Sequence, residues 1–345
     1  MGAHKRLRRG ARKRGPGGRP YISSLALAKI AEQKSEHRQR NPMIQARRIG
    51  HATFETPDLD KAIDHFTGVV GLVLAERDKD RAYLASKIGM LSVALERGGA
   101  ARCARLAFEV AADTDLAEAR RRLADAGIAS ERRNDTAPGL SEVLTLNDPK
   151  GTAIDLFTQW RTIGPPTDVA GASVLKLGHV AFVVGDPKAM ADFYQTVLGF
   201  RVSDWIDDFF VFLRCNADHH AVNFVRGEAA RLHHFAFEVR DFAALQNACD
   251  LLGRKRIPIA WGPVRLGPGH NVAIFHRNAD DHMVEFYAEL DQMKDEALGY
   301  WDPRPWHREH PQRPKVWTGA ERSIWGLPPG PDFQRTDRPS DRSPD

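Results

Sequence analysis

The chain has 345 residues, of which 42% are hydrophobic and 28% are charged, with 7 Trp and 17 Phe. This length and apolar content allow two or three packed domains and exclude a disordered chain, a collagen-like chain and a small disulfide scaffold. No stretch approaches the ~18 consecutive apolar residues of a membrane span, so we expect a cytoplasmic protein. Neither a disulfide framework nor a zinc knuckle is expected from the three widely spaced cysteines, Cys103, Cys215 and Cys249.

The net charge of +5 is concentrated at one end of the chain. Residues 1–42 hold 12 Lys and Arg against two Glu, which leaves −5 for the rest. A basic protein raises the question of nucleic acid, but here the positive charge lies in an arm and not on the body. We therefore predict a disordered basic arm over residues 1–45, and we expect no nucleic-acid partner and no membrane partner.

The chain then contains an internal repeat. The first pair of matching segments is GHATFETPDLDKAIDHFTGVVGLVLAE (50–76) and GHVAFVVGDPKAMADFYQTVLGFRVSD (178–204). Two further pairs follow in the same order, RLAFEV with HFAFEV and LTLNDPKGTAIDLF with IFHRNADDHMVEFY. The offsets between the copies are 128, 129 and 130 residues. Chance similarity would not keep three such landmarks in register, so the chain holds two related modules.

Alternating apolar residues in these segments predict strands, and Asp residues before the Ala-rich stretches predict capped helices. Each module, 46–160 and 174–290, then contains strand–helix–three strands twice. We predict an α+β fold in which each module forms a curved eight-stranded mixed sheet around a cup, with a linker over residues 161–173.

The tail, residues 291–345, differs in composition from both modules. It holds 9 of the 21 Pro and 4 of the 7 Trp. Pro-rich chain cannot form regular elements, but so many aromatic residues are not typical of disorder. We expect residues 291–327 to lie in an extended form against the second module or a neighbouring subunit, and the last residues to be loose.

The candidate site follows from the uneven distribution of histidine, since eight of the 14 lie between residues 179 and 282. Three landmark positions of the second module, His179, His234 and Glu285, would face the concave side because strands alternate faces. Two imidazoles and one carboxylate form the set that holds Fe(II) with open positions. The matching positions of the first module are His51, Arg105 and Asp155. Because Arg cannot ligate a metal, we interpret that module as a metal-free scaffold.

The second module resembles the catalytic domain of the type I extradiol ring-cleavage dioxygenases, in the vicinal oxygen chelate superfamily. The resemblance rests on GHVAF, RLHHFAFEV and HMVEF, and it implies that His179, His234 and Glu285 are the metal ligands. It places the acid–base role on His220 in RCNADHHAVNF and a substrate-orienting role on His270 in LGPGHN. It also implies Fe(II), with Mn(II) as the other option, a catechol and dioxygen as substrates, and a homodimer or homotetramer.

The sequence departs from the family at one catalytic position. The family has a Tyr ten residues before the ligand Glu, and here that position is Phe275. We expect His276 or Tyr287 to supply the missing hydrogen bond, unless the substrate needs none. The usual Asp-Pro-x-Gly turn is also replaced, by Asn-Ala-Asp-Asp at 278–281.

Other assignments depend on which face each residue takes. We expect His219 and His233 to point outward, away from the metal, as neighbours of His220 and His234. Five aromatic residues are candidates for an apolar substrate pocket: Phe182, Trp205, Phe210, Phe212 and Trp261.

Two other functions are compatible with the same fold. One is a metal-dependent lyase, epimerase or thiol transferase of the superfamily that does no oxygen chemistry. The other is a non-catalytic protein that sequesters a ligand in the cup. The additional histidines at 220 and 270 favour the dioxygenase, since the fold alone does not decide among these activities.

Overall fold

The computed structural model describes residues 42–134, 136–330 and residue 333. The predicted basic arm, apart from its last four residues, and the end of the tail lie outside the described residues. Within the described residues, no helix is both long enough and apolar enough to cross a membrane.

The first module forms one eight-stranded mixed sheet. Its strands are β1 (Ala46–Thr56), β2 (Val73–Arg77), β3 (Arg81–Ala85), β4 (Leu91–Arg97), β5 (Arg102–Val110), β6 (Ser130–Arg133), β7 (Val143–Asn147) and β8 (Ala153–Phe157). Its helices are α1 (Leu59–His65), which continues into a π-helical turn (Phe66–Val70), and α2 (Leu116–Asp125). The strand order is β2-β3-β4-β1-β5-β8-β7-β6, so β1 and β5 lie side by side at the centre.

The second module repeats this arrangement. Its strands are β9 (Lys176–Val184), β10 (Arg201–Ile206), β11 (Phe210–Arg214), β12 (Val222–Arg226), β13 (Arg231–Glu238), β14 (Ile259–Leu266), β15 (Val272–Arg277) and β16 (Met283–Ala288). Its helices are α3 (Pro187–Leu198) and α4 (Phe242–Arg254). The predicted α+β fold of two tandem modules, each with strand–helix–three strands twice, is confirmed.

The second sheet has ten strands and not the predicted eight. The tail contributes β17 (Val316–Trp317) and β18 (Ser323–Trp325) on either side of a 3₁₀ turn at Gly319–Glu321. β17 pairs in parallel with β10, and β18 pairs antiparallel with β14, at the two outer edges of the module. An edge strand presents unpaired backbone N–H and C=O groups, and the tail pairs with two residues of the edge strand on each side.

Local sequence explains where the helices begin. In each of the four α-helices of the described residues, an aspartate side chain precedes the first turn and accepts hydrogen bonds from backbone N–H groups. These residues are Asp58, Asp115, Asp186 and Asp241. Such caps satisfy donors that have no partner within the helix. Pro187 at the start of α3 is suited to that position, since its missing N–H would be unpaired anyway.

The modules pack through the faces of their central strands that do not line the cups. Phe54 on β1 lies 4.6 Å from Phe235 on β13, measured between ring centres, and Phe66 lies 5.9 Å from Phe235. On β9, Val180 and Phe182 point to this packed side, because both belong to the core. Side chains of the opposite parity on β9 and β13 are therefore directed into the cup of the second module.

Candidate metal centre and its cavity

Three neighbouring strands bring the predicted ligands together. β13 lies between β9 and β16, and its residue Ala236 is paired with both His179 and Glu285. His234 lies two residues before Ala236 and so faces the same side. The side chain at the centre of this group is only a methyl, which leaves room for the two imidazoles and the carboxylate to converge above it.

The ligand atoms lie within contact distance of one another. His179 Nε2 is 3.1 Å from His234 Nε2 and 3.1 Å from Glu285 Oε2, and His234 Nε2 is 3.3 Å from the same oxygen. The exposed fractions of the three residues are only 2%, 6% and 1%. Asn271 Nδ2 donates to Glu285 Oε1 at 2.8 Å and so fixes the carboxylate from behind. Such outer partners orient metal ligands.

The electrostatics of this group fit a bound cation. Burial would raise the pKa of Glu285, but the interactions with His179 and His234 lower it to about 2. Burial also lowers the pKa of His179, so its imidazole is neutral near pH 7. A neutral His179 imidazole and an ionised Glu285 carboxylate have the protonation that a divalent ion needs, and the nitrogen and oxygen atoms of the three residues suit Fe(II) or Mn(II).

A cavity of about 420 Å³ opens in front of the ligand atoms. Three of the five predicted aromatic residues line it, namely Phe210, Phe212 and Trp261. Phe182 lies in the core on the other face of β9, and Trp205 packs against that core. Further apolar side chains line the cavity together with three arginines, Arg226, Arg231 and Arg322, so its aromatic part suits an aromatic ligand.

His220 lines this cavity beside the ligands. Its ring centre is 4.2 Å from that of His179, and no contact places its nitrogens in the ligand group. Burial, together with the neighbouring histidines, lowers the pKa of His220 well below its ordinary value. The imidazole is therefore neutral at pH 7 and has one nitrogen free to accept a proton.

The prediction that His233 points outward, away from the metal, is wrong, whereas His219 does lie away from the cavity but is buried behind His220 and not turned to the surface. His219 is buried and its Nδ1 lies 2.9 Å from His220 Nδ1. His233 lines the cavity and its Nδ1 lies 2.6 Å from His234 Nδ1. Alternation of faces fails at both places: residues 219 and 220 precede β12 in an irregular segment, and a register shift between β13 and β9 falls at residue 233.

The structure also contradicts the catalytic assignment of His276. This residue follows Phe275 on β15, and Phe275 lines the cavity while His276 faces the other side. There its Nε2 lies 3.3 Å from Nε2 of His65 in the first module, and its ring packs on Phe286. His276 is thus part of the contact between modules.

We expect His276→Phe to retain the metal content and turnover of the wild-type protein. The reason is that the sheet separates its ring from the cavity, and Phe fills a similar volume. Metal analysis and steady-state rates check this, with Phe275→Tyr, on the cavity face of the same strand, as the companion variant that should alter the Michaelis constant. A large loss of turnover in His276→Phe at full metal content would restore the catalytic assignment.

Tyr287 packs against a glycine, as does Phe157 at the corresponding position of the first module. A Cβ on Gly178 would lie 1.9 Å from the Tyr287 hydroxyl, and a Cβ on Gly50 of the first module would lie 2.6 Å from the ring of Phe157. Each aromatic ring of the last strand thus covers the glycine of a Gly-His pair. Tyr287 is fully buried and is not among the residues that line the cavity, so the structure does not support a contact with substrate.

His270 belongs to a separate buried cluster. Its Nδ1 lies 2.7 Å from Asp291 Oδ2, and His307 Nε2 lies 2.8 Å from Oδ1 of the same carboxylate. The residue adopts a positive φ of 49° in the turn before β15 and is not among the cavity-lining residues. Its predicted contact with a substrate oxygen stays a prediction.

The matching positions of the first module form an ion pair. Arg105 Nη1 lies 2.7 Å from Asp155 Oδ1, and Thr145 also donates to that oxygen. Burial and the charge of Arg105 lower the pKa of His51 to about 3. The guanidinium thus takes the position that a cation would occupy.

Sequence reasoning missed two polar residues of the second module. Asn223 lines the cavity from β12, and its buried Oδ1 has no hydrogen-bond partner among the described residues. Asn271 donates to Glu285 of the candidate metal centre. The signal for Asn223 was an amide inside the apolar run AVNFV, which is costly unless the amide has a partner.

A family model agrees with both modules. The model described as the Glyoxalase/Bleomycin resistance protein/Dioxygenase superfamily matches residues 48–156 and 176–286. The chain belongs to this superfamily. The matched segments are the two modules that the repeat defines, and they contain all three residues of the candidate metal centre.

Similar proteins include dioxygenases that act on aromatic diols. The chain is 26% identical over 259 residues to 3-methylcatechol 2,3-dioxygenase of Pseudomonas putida. The aligned region covers 70% of this chain and 84% of the relative. It is 26% identical over 274 residues to biphenyl-2,3-diol 1,2-dioxygenase of Paraburkholderia xenovorans, covering 69% and 87%. These relatives confirm the resemblance to extradiol dioxygenases and the enzyme class.

Solved structures show the same fold. The Mn(II)-bound glyoxalase from Novosphingobium aromaticivorans superposes with a TM-score of 0.72 at 24% identity, covering 84% of this chain and 94% of that one. A variant of homoprotocatechuate 2,3-dioxygenase from B. fuscum gives a TM-score of 0.72 at 24% identity, covering 85% and 82%.

Proposed function

We propose that the protein is an Fe(II)-dependent extradiol dioxygenase that opens the ring of a catechol-type substrate with dioxygen. The observation that carries this proposal is the convergence of His179, His234 and Glu285 at the wall of an apolar cavity with His220 beside them. A site that only holds a metal does not need His220. It is suited to proton transfer on a bound diol.

The ligand set supports a resident divalent ion held by His179, His234 and Glu285. A bound Fe(II) supplies a Lewis acid for the diol oxygens and a redox centre between the diol and dioxygen. Iron is supported by a relative named iron-dependent extradiol dioxygenase, from Rhodococcus jostii, 24% identical over 281 residues. The Mn(II)-bound structural neighbour keeps Mn(II) as the other metal to be tested.

The chain's own residues then bind and deprotonate the diol. Phe210, Phe212 and Trp261 enclose the aromatic ring and exclude water. His220, neutral and adjacent to His179, accepts a proton from a diol hydroxyl at its free nitrogen. It later returns that proton to the ring-opened product, so that one diol and one dioxygen give one product containing both oxygen atoms.

The apolar wall supports a catechol with a hydrophobic or second aromatic substituent. Phe275 replaces the family's Tyr at the cavity wall and stacks on Trp261 at 5.1 Å. An indole stacked on a phenyl ring offers apolar contact where a hydroxyl would require a polar partner. The relatives named for biphenyl-2,3-diol fit this proposal.

The experiment is oxygen consumption by protein loaded anaerobically with Fe(II). Catechol, 3-methylcatechol and 2,3-dihydroxybiphenyl are the test substrates, and formation of the yellow ring-opened product is followed by absorbance and mass spectrometry. We expect stoichiometric oxygen uptake, both atoms of isotopically labelled dioxygen in the product, and preference for the substituted diols. No oxygen uptake with any diol at full Fe(II) content would exclude the dioxygenase and leave the lyase, epimerase, transferase or sequestering function.

We also expect one metal ion per chain, bound in the second module. The first module has the Arg105–Asp155 ion pair in place of a ligand set. In the other buried cluster, His270 and His307 each bond to Asp291. Metal analysis of wild-type protein and of His307→Phe checks this: both should contain one equivalent. Two equivalents in the wild type, with one lost in His307→Phe, would contradict the prediction.

A further inference from the structure

A chain of three buried polar side chains leads away from the cavity wall. His220 Nδ1 lies 2.9 Å from His219 Nδ1, and His219 Nε2 lies 3.0 Å from Asp204 Oδ2. The three residues are 3%, 0% and 2% exposed. Nothing in the ligand set requires the two residues behind His220, so their contacts need their own explanation.

Apart from His219, two groups among the described residues contact the carboxylate of Asp204, and both can only donate. Trp317 Nε1 lies 2.6 Å from Oδ2, and the backbone N–H of Lys315 lies 2.7 Å from Oδ1. An indole N–H and a backbone N–H have no acceptor capacity. In these two contacts both oxygens of Asp204 are acceptors. Both donors belong to the tail that pairs with β10.

The Asp204 carboxylate sets the direction of both hydrogen bonds, from His219 to Asp204 and between His219 and His220. His219 Nε2 must carry the proton that is donated to Asp204. In a neutral imidazole the other nitrogen then lacks a proton, so His219 Nδ1 is an acceptor. The proton between the two rings therefore belongs to His220 Nδ1, and His220 Nε2 is left with a free lone pair.

The contact between two imidazoles does not set this direction by itself. Either Nδ1 can donate to the other, and only an asymmetric partner decides between the two arrangements. The second arrangement would put the proton of His220 on Nε2, where the ring could not accept a proton from a substrate. The His219 ring is held in place by Trp301, 4.7 Å away, and its backbone N–H donates to the Asp291 carbonyl at 2.9 Å.

We propose that Asp204 and His219 are positioning residues that hold His220 with its proton on Nδ1, so that Nε2 is available as the proton acceptor. The proposal rests on the proposed function, in which His220 receives a proton from the diol. The tail takes part, because Trp317 and Lys315 fix the carboxylate at the far end of the chain.

The first test measures the position of the proton without metal or substrate. Nitrogen NMR of isotopically labelled histidine in the full-length, metal-free protein distinguishes protonated from unprotonated Nδ1 and Nε2, and His220→Phe identifies the His220 signals. We expect His220 in wild-type protein to be protonated on Nδ1. Protonation on Nε2 would overturn the proposal.

Two substitutions of His219 test its role. The carboxamide of His219→Gln can donate to Asp204 and accept from His220 Nδ1, so the tautomer should persist. His219→Phe fills the space without an acceptor, and His220 should change to protonation on Nε2. In Asp204→Ala, with water admitted to the tail donors, both tautomers should appear. An unchanged His220 tautomer in His219→Phe would overturn the proposal even if Asp204→Ala does not fold.

Kinetics of the Fe(II)-loaded variants give an independent result. We expect His219→Phe to lower kcat by ~10–100-fold, as losing an orienting partner does, with unchanged iron content and unchanged anaerobic affinity for 2,3-dihydroxybiphenyl. His219→Gln should recover most of the turnover. The matched control is His276→Phe, which removes an equally buried histidine on the opposite face of the sheet.

The outcomes separate this proposal from the proposed function. If wild-type protein cleaves no diol but His220 carries its proton on Nδ1 and loses it there in His219→Phe, the tautomer assignment stands and the dioxygenase function falls. If wild-type protein cleaves diols and His219→Phe turns over at the wild-type rate, the function stands and the positioning role is overturned.

Discussion

Glu285→Gln is expected to abolish metal binding while leaving the fold intact. Glu285 is the only carboxylate of the candidate metal centre, and its Oε2 lies 3.1 Å from His179 Nε2. A glutamine keeps the volume and can still accept from Asn271, but it brings no charge and turns either its amide nitrogen or a weak oxygen donor toward the ion. Losing a partner outside the ligand set costs ~10–100-fold in metal affinity. We therefore expect the loss of this ligand to cost more than that, with turnover falling in parallel.

Thermal unfolding separates this effect from a loss of fold. Metal stabilises the native wild-type protein, by about 2.7 kcal/mol at a free concentration one hundred times the dissociation constant. That increase in Tm should vanish in the variant. The metal-free variant should still unfold cooperatively, because the amide keeps the volume of the side chain and its contact with Asn271, while it loses the contacts of the carboxylate with His179 and His234.

Asp155→Asn is the matched control for Glu285→Gln. Asp155 occupies the same position of the repeat in the first module, where it pairs with Arg105. This variant should keep one equivalent of metal. If Glu285→Gln retains full iron and full turnover, Glu285 is not a ligand and the proposed centre is wrong.

His220→Phe is expected to keep its iron and its affinity for the diol but to turn over ~10²–10⁴-fold more slowly, the span expected for the loss of a general acid–base group. His220 lies next to His179, with ring centres 4.2 Å apart, yet its Nδ1 is bonded to His219 and not to the ligand group. Phe fills the same space in the cavity wall and carries no proton. Iron analysis, anaerobic substrate titration and single-turnover rates measure the three quantities separately.

The control for this substitution is His276→Phe and not a change at the adjacent histidine. His219 is bonded to His220, so a substitution there is expected to affect turnover as well. Loss of iron in His220→Phe, or a rate equal to that of His276→Phe, would show that His220 is not the acid–base group.

The positions of the candidate metal ligands could be predicted from the sequence because two local patterns specify them. The repeat placed His179, His234 and Glu285 at corresponding points of three strands, and regular strands alternate faces with a period of two residues. The structure brings these residues together within 3.3 Å. Helix starts were equally local, since each depends on an aspartate close to the first turn.

Residues outside regular strands could not be placed in this way. His219 precedes β12 in an irregular segment, and His233 lies at a register shift. At such places the period of two does not hold, so the prediction failed for His233, which lines the cavity, and it did not foresee that His219 is buried behind His220. His276 lies in a regular strand. The family resemblance suggested that it replaces the missing Tyr hydroxyl, but His276 faces the side of the sheet opposite to Phe275 and therefore does not reach the cavity.

The sequence by itself thus determined the two modules, their order of strands and helices, and the residues of the candidate metal centre. Tertiary structure alone decided that the tail pairs with both edges of the second sheet. It also decided that Trp317 bonds to Asp204 and that His307 bonds to Asp291. The physical reason is distance along the chain. Alternation and capping act between neighbours in sequence, whereas the contact from Trp317 to Asp204 joins residues that only the packing of the tail brings together.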